Sequence, residues 1–437
     1  MKKQPPSDTP STIDSTTVDL HKRKTLEGIA TLGAGVGLSI KAPYVFARTK
    51  TKLRVLGTHV TLQEELRQRA MEDLGIEIEY EAKGSASVLQ KASMQPGSFD
   101  LYEQWSNSMR VLWGSGAIQP IEKKRIHHWS EINSLTKTGQ LTPNAKIGAG
   151  DAPNKLLHIQ DNGQLGEAHS DTISFLPYVH NVDSFGYNTK VIPKGKPYET
   201  ESWGWLLNKK YSGKVGIVNA PSIGLFDLAL SAQANGFVTF DDIGQITKRE
   251  LDTLFNLLID FKKSGHFSGF WTSVPESIEF MASNRVIIES MFSPAVSALN
   301  GQNIPVAYAA PKEGYRGWHG VMCLSSETQG KEKDAAYDYM NWWLSGWPGA
   351  FIARQGYYIS NPQRSKAHLD SAEWDYWYQG KPAAKALKGT DGNISVQQGE
   401  VRRGGSYTTR LSNVAVWNTV MNTYDYSLQK WYEFISA

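Results

Sequence analysis

Residues 311–362 read PKEGYRGWHGVMCLSSETQGKEKDAAYDYMNWWLSGWPGAFIARQGYYISNP, and the order of patterns within them decides the fold class. Pro311-Lys312-Glu313-Gly314 has the composition of a turn. Trp318 follows between Gly317 and Gly320, in what reads as a polar, solvent-side loop. The apolar run Val321 to Leu324 suits a buried strand. After a polar loop, an amphipathic helix is expected from Lys333 to about Leu344. A second apolar stretch then ends at Tyr357-Tyr358. Loop, strand, helix, with the loop facing a cleft, is a repeating unit of α/β proteins.

Working outward, the same alternation recurs. Leu53 to Gly57 reads as a strand, Glu64 to Leu74 as a helix, and Ile76 to Tyr80 alternates strictly like a half-buried strand. Ser87 to Met94 is expected to be helical and Phe99 to Tyr102 a short strand. Strands separated by helices predict mainly parallel sheets, whose ligands bind outside the carboxyl ends of the strands. Residues 127–171 are polar, show little periodicity and read as an insertion or long loop. Regular structure resumes at Ile173 to Tyr178 and at Ser184 to Asn188, with a crossover placed between them at His180 to Asp183. Val215 to Asn219 and Val286 to Ile288 are further strands, Ser222 opens a helix, and a last helix is expected from about Val414 to Phe434.

Composition restricts function. The 437 residues suffice for two core-bearing lobes. A net charge of +3 is too small for nucleic-acid binding. The one cysteine, Cys323, rules out an internal disulfide and sits in an apolar strand as a buried thiol. Lys22-Arg23-Lys24, the apolar segment Gly28 to Ile40 and Val45-Phe46-Ala47 together form an export signal over residues 1–47. Its apolar core of about 13 residues falls short of the ~20 that span a bilayer. A polar leader and a Gly-rich, weakly hydrophobic core resemble twin-arginine signals, although the pair is reduced to one Arg. The Gly33-Ala34-Gly35-Val36-Gly37 run lies inside this presequence and is not a nucleotide loop. Gly-x-Ser-x-Gly, His-Glu-x-x-His and Cys-x-x-Cys do not occur. The expectation is a binding protein, with no catalytic residue, cofactor or metal.

An ordered series of short motifs carries a resemblance. It comprises Phe99-Asp100-Leu101, Leu176-Pro177-Tyr178, Gly186-Tyr187-Asn188, Ser202-Trp203, Tyr211-Ser212-Gly213-Lys214, Pro311-Lys312-Glu313-Gly314, and Gly356-Tyr357-Tyr358 to Asn361-Pro362. In this order and spacing the chain resembles the polyamine-type (spermidine/putrescine) bacterial extracellular solute-binding proteins of ABC importers. The resemblance implies a two-lobed α/β periplasmic-binding-protein fold of type II, with a ligand cleft between lobes. Lobe 1 would comprise residues 48–181 plus 318–365, and lobe 2 residues 182–317 plus 366–437. It also implies a monomeric periplasmic receptor that delivers a small polar solute, a polyamine-like or other organic nitrogen compound, to an inner-membrane permease. A secreted two-lobed enzyme, and a receptor for an anionic or zwitterionic solute or ferric ion at Tyr357-Tyr358, remain as alternatives.

The expected ligand-binding residues are Thr58 and His59 at the first strand's end, then Trp105, Ser106 and Asn107 after the third. Asp183 lies at the crossover, Ser222 at a helix start, Phe292 and Ser293 after the Val286 strand, and Trp318 in its loop. Aromatic faces there suit an amine by cation–π contact. The positions where the family gathers acids are Ala220-Pro221-Ser222 and Gly320 here, so its usual amine clamps are missing. Glu103 and Glu289 are further carboxylates that sequence cannot orient. Ser222, read as a helix cap, would also present backbone N–H groups to an anion.

Overall fold

The computed structural model describes residues 50–437; the expected export signal lies outside them. Lys52–Gly57 is a strand because Leu53 and Val55 bury while Lys52 stays in solvent. It pairs in parallel with Glu77–Ala82 on one side and with Leu101–Trp105 on the other. Between the first two runs the helix Glu64–Leu74, which seats Leu66 and Ala70 in the core and stops at Gly75 with φ 68°. Ser85–Met94 is the next crossover helix. A Cβ at Gly57 would lie 2.6 Å from the Glu103 carbonyl oxygen, so only glycine lets these strand ends approach.

The expected break between Tyr178 and Ser184 is not there. Leu176–Asn188 is one 13-residue strand, buried along nearly all its length. Its first part pairs antiparallel with Tyr315–Ser325, from Met322 opposite Leu176 to Arg316 opposite Asp183. Its last part pairs antiparallel with Ile288–Met291 and Val306–Tyr308. Tyr315–Ser325 pairs in turn with Leu101–Trp105. Two long strands therefore thread a single 12-stranded mixed sheet through both halves of the molecule. The fold class is as expected, but the sheet is shared, and its two central strands, Leu176–Asn188 and Tyr315–Ser325, run antiparallel to each other.

The loop expected around Trp318 is also strand. Gly317 and Gly320 suggested a loop, yet both are demanded by packing. A Cβ on Gly317 would sit 2.9 Å from the Trp417 ring, and one on Gly320 2.8 Å from the Val179 carbonyl oxygen. Trp318 is accordingly 5% exposed rather than solvent-borne.

One large core gathers Leu53 to Val179 with Trp318 to Ile359, including Cys323; a second gathers Phe185 to Ala309 with Val416 to Phe434. The 127–171 region is not a loop. It holds the helical segments Trp129–Glu131, Ser134–Thr138 and Asn154–Leu157 and contributes to a small four-stranded sheet. The expected final helix is there but starts later, at Tyr424–Ser436; its expected first residues, Val414–Trp417, are a strand parallel to Tyr315–Gly317. Val414 and Val416 bury on one face of a strand, so the period there is two, not 3.6. Among the described residues no helix is long and apolar enough to cross a membrane.

Candidate functional site

A cavity of about 1590 Å³ opens where the carboxyl ends of the parallel strands face each other. Thr58, His59 and Val60 follow the first strand, and Trp105 and Asn107 end the third. The opposite wall carries Val218 to Ile223, Trp271 and Phe292. A hairpin of Leu387–Lys388 with Ile394–Val396 sends Gly389 to Ser395 across the mouth, and Gln355 Nε2 donates to Thr390 Oγ1 at 3.2 Å. No element was expected from the sequence in this stretch, although Gly389 and the Asp391-Gly392-Asn393 turn are a hairpin signal.

At the base of the cavity is an inner chamber bounded by Trp105, Asp183, Phe292, Arg316, Trp318, Tyr357 and Asn418, with Val60 and Ile223. Trp318 meets Trp105 edge-on at 4.9 Å and Tyr357 at 5.5 Å between ring centres. Phe292 stands edge-on to Trp271 at 5.0 Å. Arg316, 1% exposed, donates Nε–H to Asp227 Oδ1 at 2.7 Å and Nη1–H to Asn418 Oδ1 at 3.1 Å. Asp183 is held less tightly. The Arg316 Nη2–H reaches its Oδ2 at 3.5 Å and the Tyr308 hydroxyl its Oδ1 at 3.3 Å. Burial pushes the Asp183 carboxyl above its ordinary range, against the pull of Arg316. Burial also takes Asp227 up to about 6 despite the same guanidinium. Sequence reasoning missed Arg316; its signal was the two-residue spacing Arg316, Trp318, Gly320, which puts all three on one face of a strand.

Of the expected residues, Thr58, His59, Trp105, Asn107, Ser222 and Phe292 line the cavity, and Asp183 and Trp318 line the inner chamber with Trp105 and Phe292. Ser106 and Ser293 do not. Ser106 is buried, its hydroxyl unpartnered, and the Ser293 hydroxyl lies under Gly356. Ser222 is not a cap: Ala220 occupies the cap position of Pro221–Ala234 and makes no side-chain bond. Proline at the first helical position fixes that register. Glu103 and Glu289 point into the lobes, not the cleft. Glu103 accepts from the Tyr178 hydroxyl at 3.0 Å and burial raises it to about 7; Glu289 accepts from Ser277 at 2.9 Å. Tyr357 faces the chamber while Tyr358 turns away to pack at a tilt against Tyr407, ring centres 4.5 Å apart, so the two phenols do not converge as ferric ligands.

On the reverse face of the two long strands, His180 and His319 are paired in register and stack at 5.0 Å. Thr136 Oγ1 lies 2.9 Å from His319 Nε2, and the Tyr407 hydroxyl 2.8 Å from His180 Nε2. Both rings are fully buried, and burial lowers His319 to about 4 and His180 well below its ordinary value.

The family model described as bacterial extracellular solute-binding protein matches residues 65–385. No curated protein matches the sequence. Among solved structures, the chain is similar to the spermidine/putrescine substrate-binding protein PotD of Streptococcus pneumoniae, with TM-score 0.59 and 15% identity over 88% of this chain and 99% of that one. A putative spermidine/putrescine ABC transporter protein of Listeria monocytogenes gives TM-score 0.61 and 13% identity over 88% and 99%. AgtB of A. tumefaciens R10, in complex with agropinic acid, gives TM-score 0.53 and 12% identity over 89% and 99%. At these identities the likeness is one of fold: a two-lobed binding protein.

Proposed function

The chain belongs to the bacterial extracellular solute-binding proteins, and from that membership we propose that it is the periplasmic receptor of an ABC importer, capturing a small organic nitrogen compound in the cleft and passing it to a membrane permease. The observation that carries the ligand class is the inner chamber. Four aromatic rings, those of Trp105, Phe292, Trp318 and Tyr357, surround one buried carboxylate, Asp183, whose hydrogen bonds are both long. A desolvated carboxylate held this loosely gains from a cation, and aromatic faces attract the same cation. The ligand ammonium is assigned there.

The lobes are assigned as residues 48–181 plus 318–365 and 182–317 plus 366–437, turning about the long strands Leu176–Asn188 and Tyr315–Ser325. Residues 1–47 are assigned to export by the twin-arginine route. A thermal-shift panel of polyamines, betaines, amino acids and sugar acids tests the reading, because a tight ligand raises stability by mass action. Nitrogen compounds are expected to shift the protein and Asp183→Asn to reduce the shift. Shifts by sugar acids alone would overturn it.

A further inference from the structure

The loop that carries the first cleft residues rests on a buried carboxyl. Residues 58–63 join the strand Lys52–Gly57 to the helix Glu64–Leu74, and Thr58, His59, Val60 and Gln63 line the cavity. The loop's own bonds are few. Leu62 N–H donates to the Thr58 carbonyl at 3.1 Å and Gln63 N–H to the Thr61 carbonyl at 3.0 Å. Gln63 gives the helix no side-chain cap; its carboxamide pairs with that of Gln355 instead. Thr61 and Leu62 are buried. What they cover is Glu103. A Cβ built on Gly57 would lie 2.9 Å from Leu62 Cδ1 and 3.0 Å from Glu103 Cβ, so the loop sits directly over the end of the Glu103 strand.

A hydrogen-bond chain ties the two together. The Tyr178 hydroxyl stands 3.0 Å from Glu103 Oε2 and 3.1 Å from Thr61 Oγ1. A phenol has one proton for these two acceptors, so the protonation of Glu103 decides where it goes. With Glu103 protonated, the carboxyl donates to Tyr178 and Tyr178 donates to Thr61. With Glu103 ionised, Tyr178 donates to the carboxylate, and Thr61 is turned from acceptor to donor. Glu103 is fully buried and its Oε1 has no partner. The titratable groups that face it are phenols: Tyr178 from the strand Leu176–Asn188, Tyr80 from Glu77–Ala82 and Tyr339 from the helix Gly330–Trp343, the last two bonded to each other at 2.7 Å. Burial holds all three above their ordinary value, so they stay neutral. Among the described residues no Lys, Arg or His pairs with Glu103, and burial raises its carboxyl to about 7. A core carboxylate bonded only to neutral hydroxyls is costly, and the nearest relief is water admitted under the loop.

We propose that Glu103 is a positioning residue for the cleft: while it holds its proton the Thr58–Gln63 loop stays seated, and when it ionises the loop loosens to hydrate the charge. The receptor's grip on solute at Thr58, His59 and Val60 then weakens as the medium becomes less acidic. That consequence rests on the cleft being the solute site, whereas the movement of the loop does not. With the loop open, Glu103 is hydrated and titrates near the ordinary 4.5; with it seated, at about 7. Opening is therefore independent of pH below 4.5, becomes more favourable as pH rises from 4.5 to 7, and is constant above.

The test is amide hydrogen exchange of the purified, solute-free protein, read at Leu62 and Gln63 relative to the intrinsic chemical rate. Solute is left out because Asp183, also raised by burial, would add its own pH dependence. Exchange should speed up at least ~tenfold between about pH 5 and about pH 7 and level off above, while Ala70 in the following helix shows no such step. Glu103→Gln, neutral at every pH, should keep the loop slow throughout. Tyr178→Phe removes the donor to the ionised carboxylate and should carry the upper end of the step to higher pH. A native loop that exchanges at one relative rate across the window overturns the proposal. So does a step that survives in Glu103→Gln, which would belong to the exposed His59 of the same loop. Where Glu103→Gln does not fold, Tyr178→Phe decides, and an unmoved step in that variant overturns the proposal.

Discussion

The two faces of one strand pair carry opposite solutions to the burial of polar groups. On the cleft face, Arg316 and Asp183 stand in register with Asp227 behind them, and the ions persist because each has a partner. On the reverse face, His180 and His319 stand in register three residues away along each strand, and both rings are held neutral by burial. Buried ions are costly unless paired, while an imidazole escapes the cost by giving up its proton. The difference separates roles. The histidine face is closed by Thr136 and Tyr407 and serves the frame, whereas the cleft face leaves Asp183 only loosely bonded. That looseness is what a ligand can complete.

The contrast breaks most visibly at Arg316. Arg316→Met leaves Asp227 and Asp183 buried without a cation, and should cost roughly 3–5 kcal/mol of stability. Adding Asp227→Asn should restore part of it; urea titrations of the single and double variants measure both. Trp318→Ala comes next. Trp318 is buried rather than exposed, so about 3 kcal/mol of stability is expected to go, beside a ligand affinity loss of roughly 1–3 kcal/mol. Chemical denaturation and calorimetry separate the two effects.

The histidine face gives a pH signature. The folded-state value of His319, about 4, lies below the ordinary 6.5, so the unfolded chain binds the proton first as pH falls. The stability of the neutral ring is complete above 6.5 and declines toward 4. Relative to His319→Gln, the native protein should lose roughly 3 kcal/mol across that window. A constant difference would mean that the ring is hydrated in the folded state. Glu103, raised to about 7, acts with opposite sign: its contribution is present below 4.5 and is lost as pH rises through 7, so comparison with a variant is needed to isolate His319. The smallest effect is that of Asp183→Asn. It should cost about 2 kcal/mol in affinity for a cationic ligand and little stability, since it removes a charge that the fold itself compensates poorly.

Much of the frame was legible. Glu64–Leu74 was bounded to the residue by its apolar spacing and Gly75, and the parallel strands were marked by their β-branched and alternating runs. The misreadings share a cause. At Gly317, Gly320, Val414 and Val416 the residues that looked like loop or helix are shaped by neighbours remote in sequence, Val179 and Trp417 at Gly320 and Gly317, and the strand Tyr315–Gly317 at the two valines. In the site, residues at strand ends were legible because a parallel sheet opens its ligand cleft there. Arg316 and the hairpin over the mouth were not, because their roles arise from contacts between residues distant in the chain, 89 positions for Arg316–Asp227 and 35 for Gln355–Thr390.

Local pattern and residue type were enough for the α/β class, the family resemblance and the aromatic residues that follow the strands. None of these needs a partner to be read. It took strand pairing to make two strands run unbroken through both halves, to bring Asp183 into the cleft while Glu103 and Glu289 turn away, and to lock Arg316 to Asp227. A carboxylate's charge is fixed by its chemistry, but its direction and its partners are fixed by which strands pair and in what register.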